Sequence, residues 1–223
     1  MEQEYKNLLN FWDEAFKNNT PTKIDQKWIE DSSFNDLINT YLNENDVLVD
    51  FGCGMGWAIF EILNSKKLKK GYGIDPSKNA IDYCNECTKL SNFNNLKFII
   101  GDENNLLNLN DKIDSLISFN VIDVLPDDVL NNVLINIHKA VKKEGIILLG
   151  INPDFPVDFL KQLGYEIKDN FLYKDNVLRG NLKSDKDWIN LFKDNFDFIE
   201  IRKVSVNERE AKFPRRVFVL KNK

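Results

Sequence analysis

Val47-Leu48-Val49-Asp50-Phe51-Gly52-Cys53-Gly54-Met55-Gly56-Trp57 is the stretch whose reading decides the fold. Val47 to Val49 is an apolar run of the kind buried in a parallel strand, and Asp50 stands at its carboxyl end. Gly52, Gly54 and Gly56 follow at every second position, and then a helical pattern with Ile59, Ile62 and Leu63 on one face. Strand, glycine loop and helix in this order open a nucleotide-binding βαβ unit. A sharp turn there favours residues that tolerate left-handed backbone, and a ligand close to the chain leaves no room for a Cβ. The free N–H groups at the start of the next helix favour an anion.

Spacing separates two ligand classes. A dinucleotide fingerprint, G-x-G-x-x-G, would place its third glycine at position 57, where Trp57 stands. Asp50 to Gly56 instead reads D-x-G-x-G-x-G. That resembles motif I of the class I S-adenosylmethionine-dependent methyltransferases, and the likeness extends over residues 46–151. The resemblance implies an α/β fold: a three-layer sandwich with a seven-stranded, mostly parallel sheet, here with an N-terminal helical cap. It implies a single domain over 1–223, with a cap or lid (1–45), a cofactor-binding core (46–151), a substrate-recognition insertion (152–184) and a C-terminal helix with closing strands (185–223).

The cofactor implied is S-adenosyl-L-methionine, with S-adenosyl-L-homocysteine as product. The residues implied to hold it fall where four strands end. Asp50, Gly52, Cys53, Gly54 and Gly56 form the first loop. Asp75, with Pro76 after it, ends the strand 71–75, about 20 residues past Gly54, where a ribose-binding acid belongs. Asp102 follows the strand 96–100 and is matched to the adenine amino group, with Glu103 as a less favoured substitute. Asn120 follows the strand 113–119 and is matched to the methionine end. Enzymes that methylate base amino groups or glutamine carry Asn-Pro-Pro-Tyr there. Asn120-Val121-Ile122-Asp123 lacks the prolines and the aromatic ring, which points to the small-molecule branch.

Helices are expected over 3–18, with Leu8, Leu9, Trp12 and Phe16 on one stripe, and over 28–42. Trp12, Phe16 and Trp28 suit a lid over the acceptor pocket, or simply dock the helices. Further helices are expected over 56–66, 77–90 and 126–143. Residues 152–184 read as irregular, broken by Pro153, Pro156, Gly164 and Gly180, with Tyr173, Arg179 and Asn181 as candidate acceptor contacts. A short helix capped by Ser184 and two closing strands, 196–206 and 215–220, complete the chain as an antiparallel hairpin. His138, the one histidine, lies well along a helix after the fourth strand and reads as structural.

The net charge of −5 and pI of about 5.1 argue against nucleic acid as partner. They favour a small, uncharged-to-cationic acceptor. The acidic opening Met1-Glu2-Gln3-Glu4 carries no apolar signal core, and no apolar run approaches a membrane span, so a cytoplasmic protein without membrane partners is expected. The abundance of Asn, Lys and Ile suggests a low-GC bacterial source. Cys84-x-x-Cys87 lacks a second ligand pair, so no metal site is expected. No catalytic base is assigned and oligomeric state is left open. The rival readings are a nicotinamide oxidoreductase, a non-catalytic cofactor-binding sensor or scaffold, and a methyltransferase acting on protein or RNA.

Overall fold

The computed structural model describes every residue except 1, 30, 110, 111, 154, 208, 209 and 211. Seven strands form one sheet in the order β3-β2-β1-β4-β5-β10-β9. These are β1 (Val47–Phe51), β2 (Lys70–Asp75), β3 (Leu96–Ile100), β4 (Ile113–Phe119), β5 (Val141–Ile151), β9 (Phe196–Val204) and β10 (Arg215–Asn222). The first five run parallel, and β10 lies antiparallel between β5 and β9. All five residues of β1 are buried, as a central parallel strand covered on both faces requires. The sheet order reverses between β1 and β4, which opens a crevice at their carboxyl ends where such folds place ligands.

The helices are α1 (Glu2–Phe16), α2 (Ser32–Tyr41), α3 (Trp57–Ser65), α4 (Lys78–Leu90), α5 (Asn104–Leu107), α6 (Asp127–Ala140), α7 (Val157–Gln162) and α8 (Asp185–Phe192). Helices α2, α3, α4, α6 and α8 present buried apolar residues to the sheet. One face is filled by α6 and α8, through Leu130, Ile137, Trp188 and Phe192. The other is filled by α2, α3 and α4, through Phe34, Ile59, Phe60 and Cys84. Ser77 caps α4 and Ser184 closes a capping box on α8 with Asp187. His138 binds Asn222 at the foot of the sheet, away from the crevice.

Three sequence expectations are corrected. The second helix starts at Ser32, not near 28, because Asp31 takes the N-cap and the Trp28 N–H is tied to Glu61 Oε2 at 2.9 Å. The helix expected to reach 143 stops at Ala140, where β5 begins. The insertion is not irregular. After α7 it forms a separate antiparallel sheet of β6 (Glu166–Lys168), β7 (Phe171–Lys174) and β8 (Val177–Asn181). Its turns are Asp169-Asn170 and Asp175-Asn176, all with positive φ between 50° and 67°. Paired left-handed residues are the hairpin signature that Asp and Asn best supply.

Phe34 is fully buried and packs its ring on Trp57 and Phe119, anchoring α2 beside the crevice. Phe34→Ala is expected to cost about 3–5 kcal/mol, as large aromatic truncations in cores do. Urea unfolding followed by fluorescence measures it.

Candidate active site

Gly52 and Gly54 adopt φ of +68° and +49°, backbone that side-chain-bearing residues avoid. The N–H groups of Gly52 and Cys53 both donate to the Ile74 carbonyl, at 2.7 and 3.2 Å, stitching the loop to the end of β2. A Cβ at Gly52 would lie 2.3 Å from Val121, and one at Gly54 3.3 Å from the ring of Phe16. The loop is therefore approached from the side by the segment after β4 and from above by α1.

Asp75 holds this arrangement. Its Oδ2 accepts the Gly54 N–H at 2.8 Å and its Oδ1 the Ser77 N–H at 2.9 Å. Burial pushes its carboxyl above the usual range, while these two bonds pull it down. Beneath the loop, Asp50 is 2% exposed. Burial, and then the neighbouring Asp75 charge, push its carboxyl up to about 8, and its Oδ2 has no hydrogen-bond partner among the described residues.

A cavity of about 640 Å³ opens above the loop, a size typical of small-molecule sites. Of the sequence-expected residues, Gly52, Cys53, Gly54, Asp75, Pro76, Asp102, Asn120, Trp12 and Trp28 line it. Asp50, Gly56 and Glu103 do not. Asp50 supports the loop from below. Gly56 is the N-cap of α3, where a Cβ would meet Phe60 at 2.7 Å. Glu103 faces Tyr5, whose hydroxyl is raised to about 12 by burial and then by Glu103, Asp102 and Asp75. Asn120 takes a φ of 60°, an uncommon left-handed position for a residue with a side chain.

Helix α1 roofs the cavity with Tyr5, Leu8, Leu9, Trp12 and Phe16. It is fastened at two places. Near its C-terminus, Asp13 accepts hydrogen bonds from the Ser77 hydroxyl at 2.6 Å and the Asn79 N–H at 3.0 Å. Toward its N-terminus, Tyr173 on β7 donates to Glu4 at 2.6 Å, and Arg179 on β8 lies over the rings of Phe11 and Trp12 at 4.2 and 5.3 Å.

A second chamber of about 150 Å³ adjoins the first, sharing Trp12, Asn120, Val124 and Asn152 as walls. Arg179 and Asn181 line it, whereas Tyr173 lines neither chamber. A hydrogen-bond chain runs between the two. Arg215 donates to Asn120 Oδ1 at 2.5 Å, Asn120 to Asn152 Oδ1 at 2.7 Å, and Asn152 to Asp123 Oδ2 at 2.8 Å. Sequence reasoning missed Asp13, Asp123, Asn152 and Arg215 as site residues. Asn152 carried a positional signal, since it follows the carboxyl end of a parallel strand. Asp13 and Arg215 carried none, because distant packing alone places them.

A family model described as a methyltransferase domain matches residues 42–197. The chain belongs to this family, the class I S-adenosylmethionine-dependent methyltransferases. An uncharacterized protein of Methanocaldococcus jannaschii, MJ1452, is 35% identical over 85 residues, 38% of this chain and 32% of that protein. The match thus spans about a third of that relative's length. The PH0226 protein of Pyrococcus horikoshii OT3 shares the fold with a TM-score of 0.70 at 19% identity, covering 94% of this chain and 99% of that one. The N-methyltransferase NodS of Bradyrhizobium japonicum WM9, solved with S-adenosyl-L-homocysteine, has a TM-score of 0.66 at 14% identity, covering 97% and 98%.

Asp50 binds its proton more tightly folded than unfolded. Its contribution is therefore full below about pH 4 and is lost as pH rises through about 8. Asp50→Asn removes that slope, so stability measured by denaturant midpoints should fall less steeply from pH 5 to 8 than in the parent. Asp13→Ala should speed amide exchange across α1 while leaving the sheet protected, as the release of a single fastening predicts.

Proposed function

We propose that this methyltransferase acts on a small-molecule acceptor held beside the cofactor under a lid made by residues 1–30 and 152–184. The observation that carries this reading is the enclosure of the cavity: α1 lies over the glycine loop and is joined to the insertion sheet by Tyr173–Glu4 and by Arg179 on Phe11 and Trp12. No helix among the described residues is long and apolar enough to cross a membrane.

The residues present fit the cofactor. A Cβ would crowd the loop at Gly52 and Gly54, leaving bare backbone toward the cavity. Asp75 keeps a further lone pair on each carboxylate oxygen for the two ribose hydroxyls. Both Asp102 and Asn120 line the cavity; Asp102 would accept from the adenine amino group and Asn120 would border the methionine end. When bound, S-adenosyl-L-methionine supplies an electrophilic methyl group on a positively charged sulfur. The chain's part is to align the acceptor's lone pair with that group and exclude water, which the α1 roof does through Leu8, Trp12 and Phe16.

Thermal-shift titration should show stabilisation by S-adenosyl-L-methionine and S-adenosyl-L-homocysteine and none by NAD. Asp75→Ala is expected to weaken calorimetric affinity for S-adenosyl-L-homocysteine by about 1.5–3 kcal/mol, the worth of hydrogen bonds to a charged group. Gly54→Val should abolish binding, since the new side chain meets Phe16 and strains the turn. Methyl label recovered on RNA or protein after incubation with the labelled cofactor and cell extract would overturn the small-molecule acceptor.

A further inference from the structure

Resting on that reading, we infer that the second chamber binds the acceptor, and that the acceptor is a small carboxylate carrying an N–H or O–H group. Arg179 is its anion anchor and Asp123 orients its donor.

The local charges support this. Three arginines surround the junction of the chambers. Arg215 is paired with Glu210 at 2.7 Å and Arg216 with Asp185 at 2.6 Å, which neutralises both. Arg179 has no carboxylate within ion-pairing distance among the described residues. Its guanidinium is instead spread over Phe11 and Trp12, which fixes its plane and leaves its donors to the chamber edge. A flat cation with unspent donors beside an enclosed space matches a carboxylate.

Unpartnered buried donors point the same way. Asn181, 9% exposed, has its Nδ2 without a partner among the described residues, and Arg216 has its Nε without one. Both residues line the chamber, so its walls hold unspent donors beyond Arg179. Buried polar groups are nearly always satisfied, and a bound carboxylate would satisfy these.

One acceptor atom in the same wall is also unspent. Asp123 is 3% exposed, and its Oδ2 receives both the N–H and the side-chain amide of Asn152, at 2.9 and 2.8 Å. Its Oδ1 receives nothing among the described residues. An N–H or O–H on the bound molecule would complete it. Asn152 in turn binds Asn120, so the group that orients the donor is coupled to the residue bordering both chambers. The acidic net charge of the chain suggested an uncharged or cationic acceptor. The inference departs from that expectation, because a charge beside the ligand outweighs distant ones screened by salt.

The test is binding to protein saturated with S-adenosyl-L-homocysteine. The probes are lactate, propionate and propionamide, and 2-aminobenzoate, benzoate and benzamide, each titrated to about 20 mM with detection by saturation-transfer NMR. The carboxylates should bind and the amides should not. Lactate and 2-aminobenzoate should bind more tightly than propionate and benzoate, and Asp123→Asn should erase that preference. Arg179→Gln should weaken the carboxylates about tenfold or more, as loss of a charged hydrogen-bond partner does, while Arg179→Lys recovers part of the affinity. The melting temperature of each variant with S-adenosyl-L-homocysteine checks its fold. Amides binding as well as carboxylates, no carboxylate binding at all, or an Arg179→Gln variant equal to the parent would each overturn the inference while leaving the cofactor site standing. If Arg179→Gln instead weakens S-adenosyl-L-homocysteine itself, and carboxylates compete with it, the chamber holds the cofactor's own methionine end and the inference falls. Failure of S-adenosyl-L-homocysteine to bind the parent would overturn the underlying reading along with it.

Discussion

Two backbone N–H groups from different turns converge on one carboxylate, that of Asp75, and the site depends on it. Gly54 belongs to the loop after β1 and Ser77 to the turn after β2. A carboxylate 7% exposed needs donors to remain acceptable inside the protein, and these turns supply them. In return the carboxylate fixes how far apart the turns stand. The Ser77 hydroxyl then reaches Asp13 on α1, so the roof is referenced to the same point as the floor. A displacement of Asp75 would move loop, α4 and α1 together.

Much of the core was legible because its signals are local. An apolar run, a glycine loop and an acid at the next strand's end are each set by residues adjacent in the chain. The sheet and its closing hairpin followed from them. The insertion was misread for a different reason. Its strands span only 3–5 residues, too short for alternation to register, and Pro153, Pro156 and Gly164 drew attention to breaks. The useful marks were the repeated Asp-Asn pairs at its two turns. Of the second chamber's walls, Arg179 and Asn181 were legible only as members of that segment. Asn152 reaches Asp123 across 29 residues and Arg215 reaches Asn120 across 95, a proximity no local pattern encodes.

Net charge summed over a chain does not fix the charges that line one cavity. Among the described residues Asp46, Asp50, Glu61, Asp75 and Asp123 are the buried acids, and the others reach solvent, where water and ions screen them. The arginines that matter are Arg179, Arg215 and Arg216, drawn from two strands of different sheets to one junction. Two of them are paired with nearby acids, and Arg179 stands in the same chamber lining as the buried Asp123.

Trp12 forms part of the wall of both chambers, on a helix fastened at each end. A shared wall of this kind ties the enclosure of both chambers to one helix. Opening α1 far enough to release a molecule from either chamber unroofs the other.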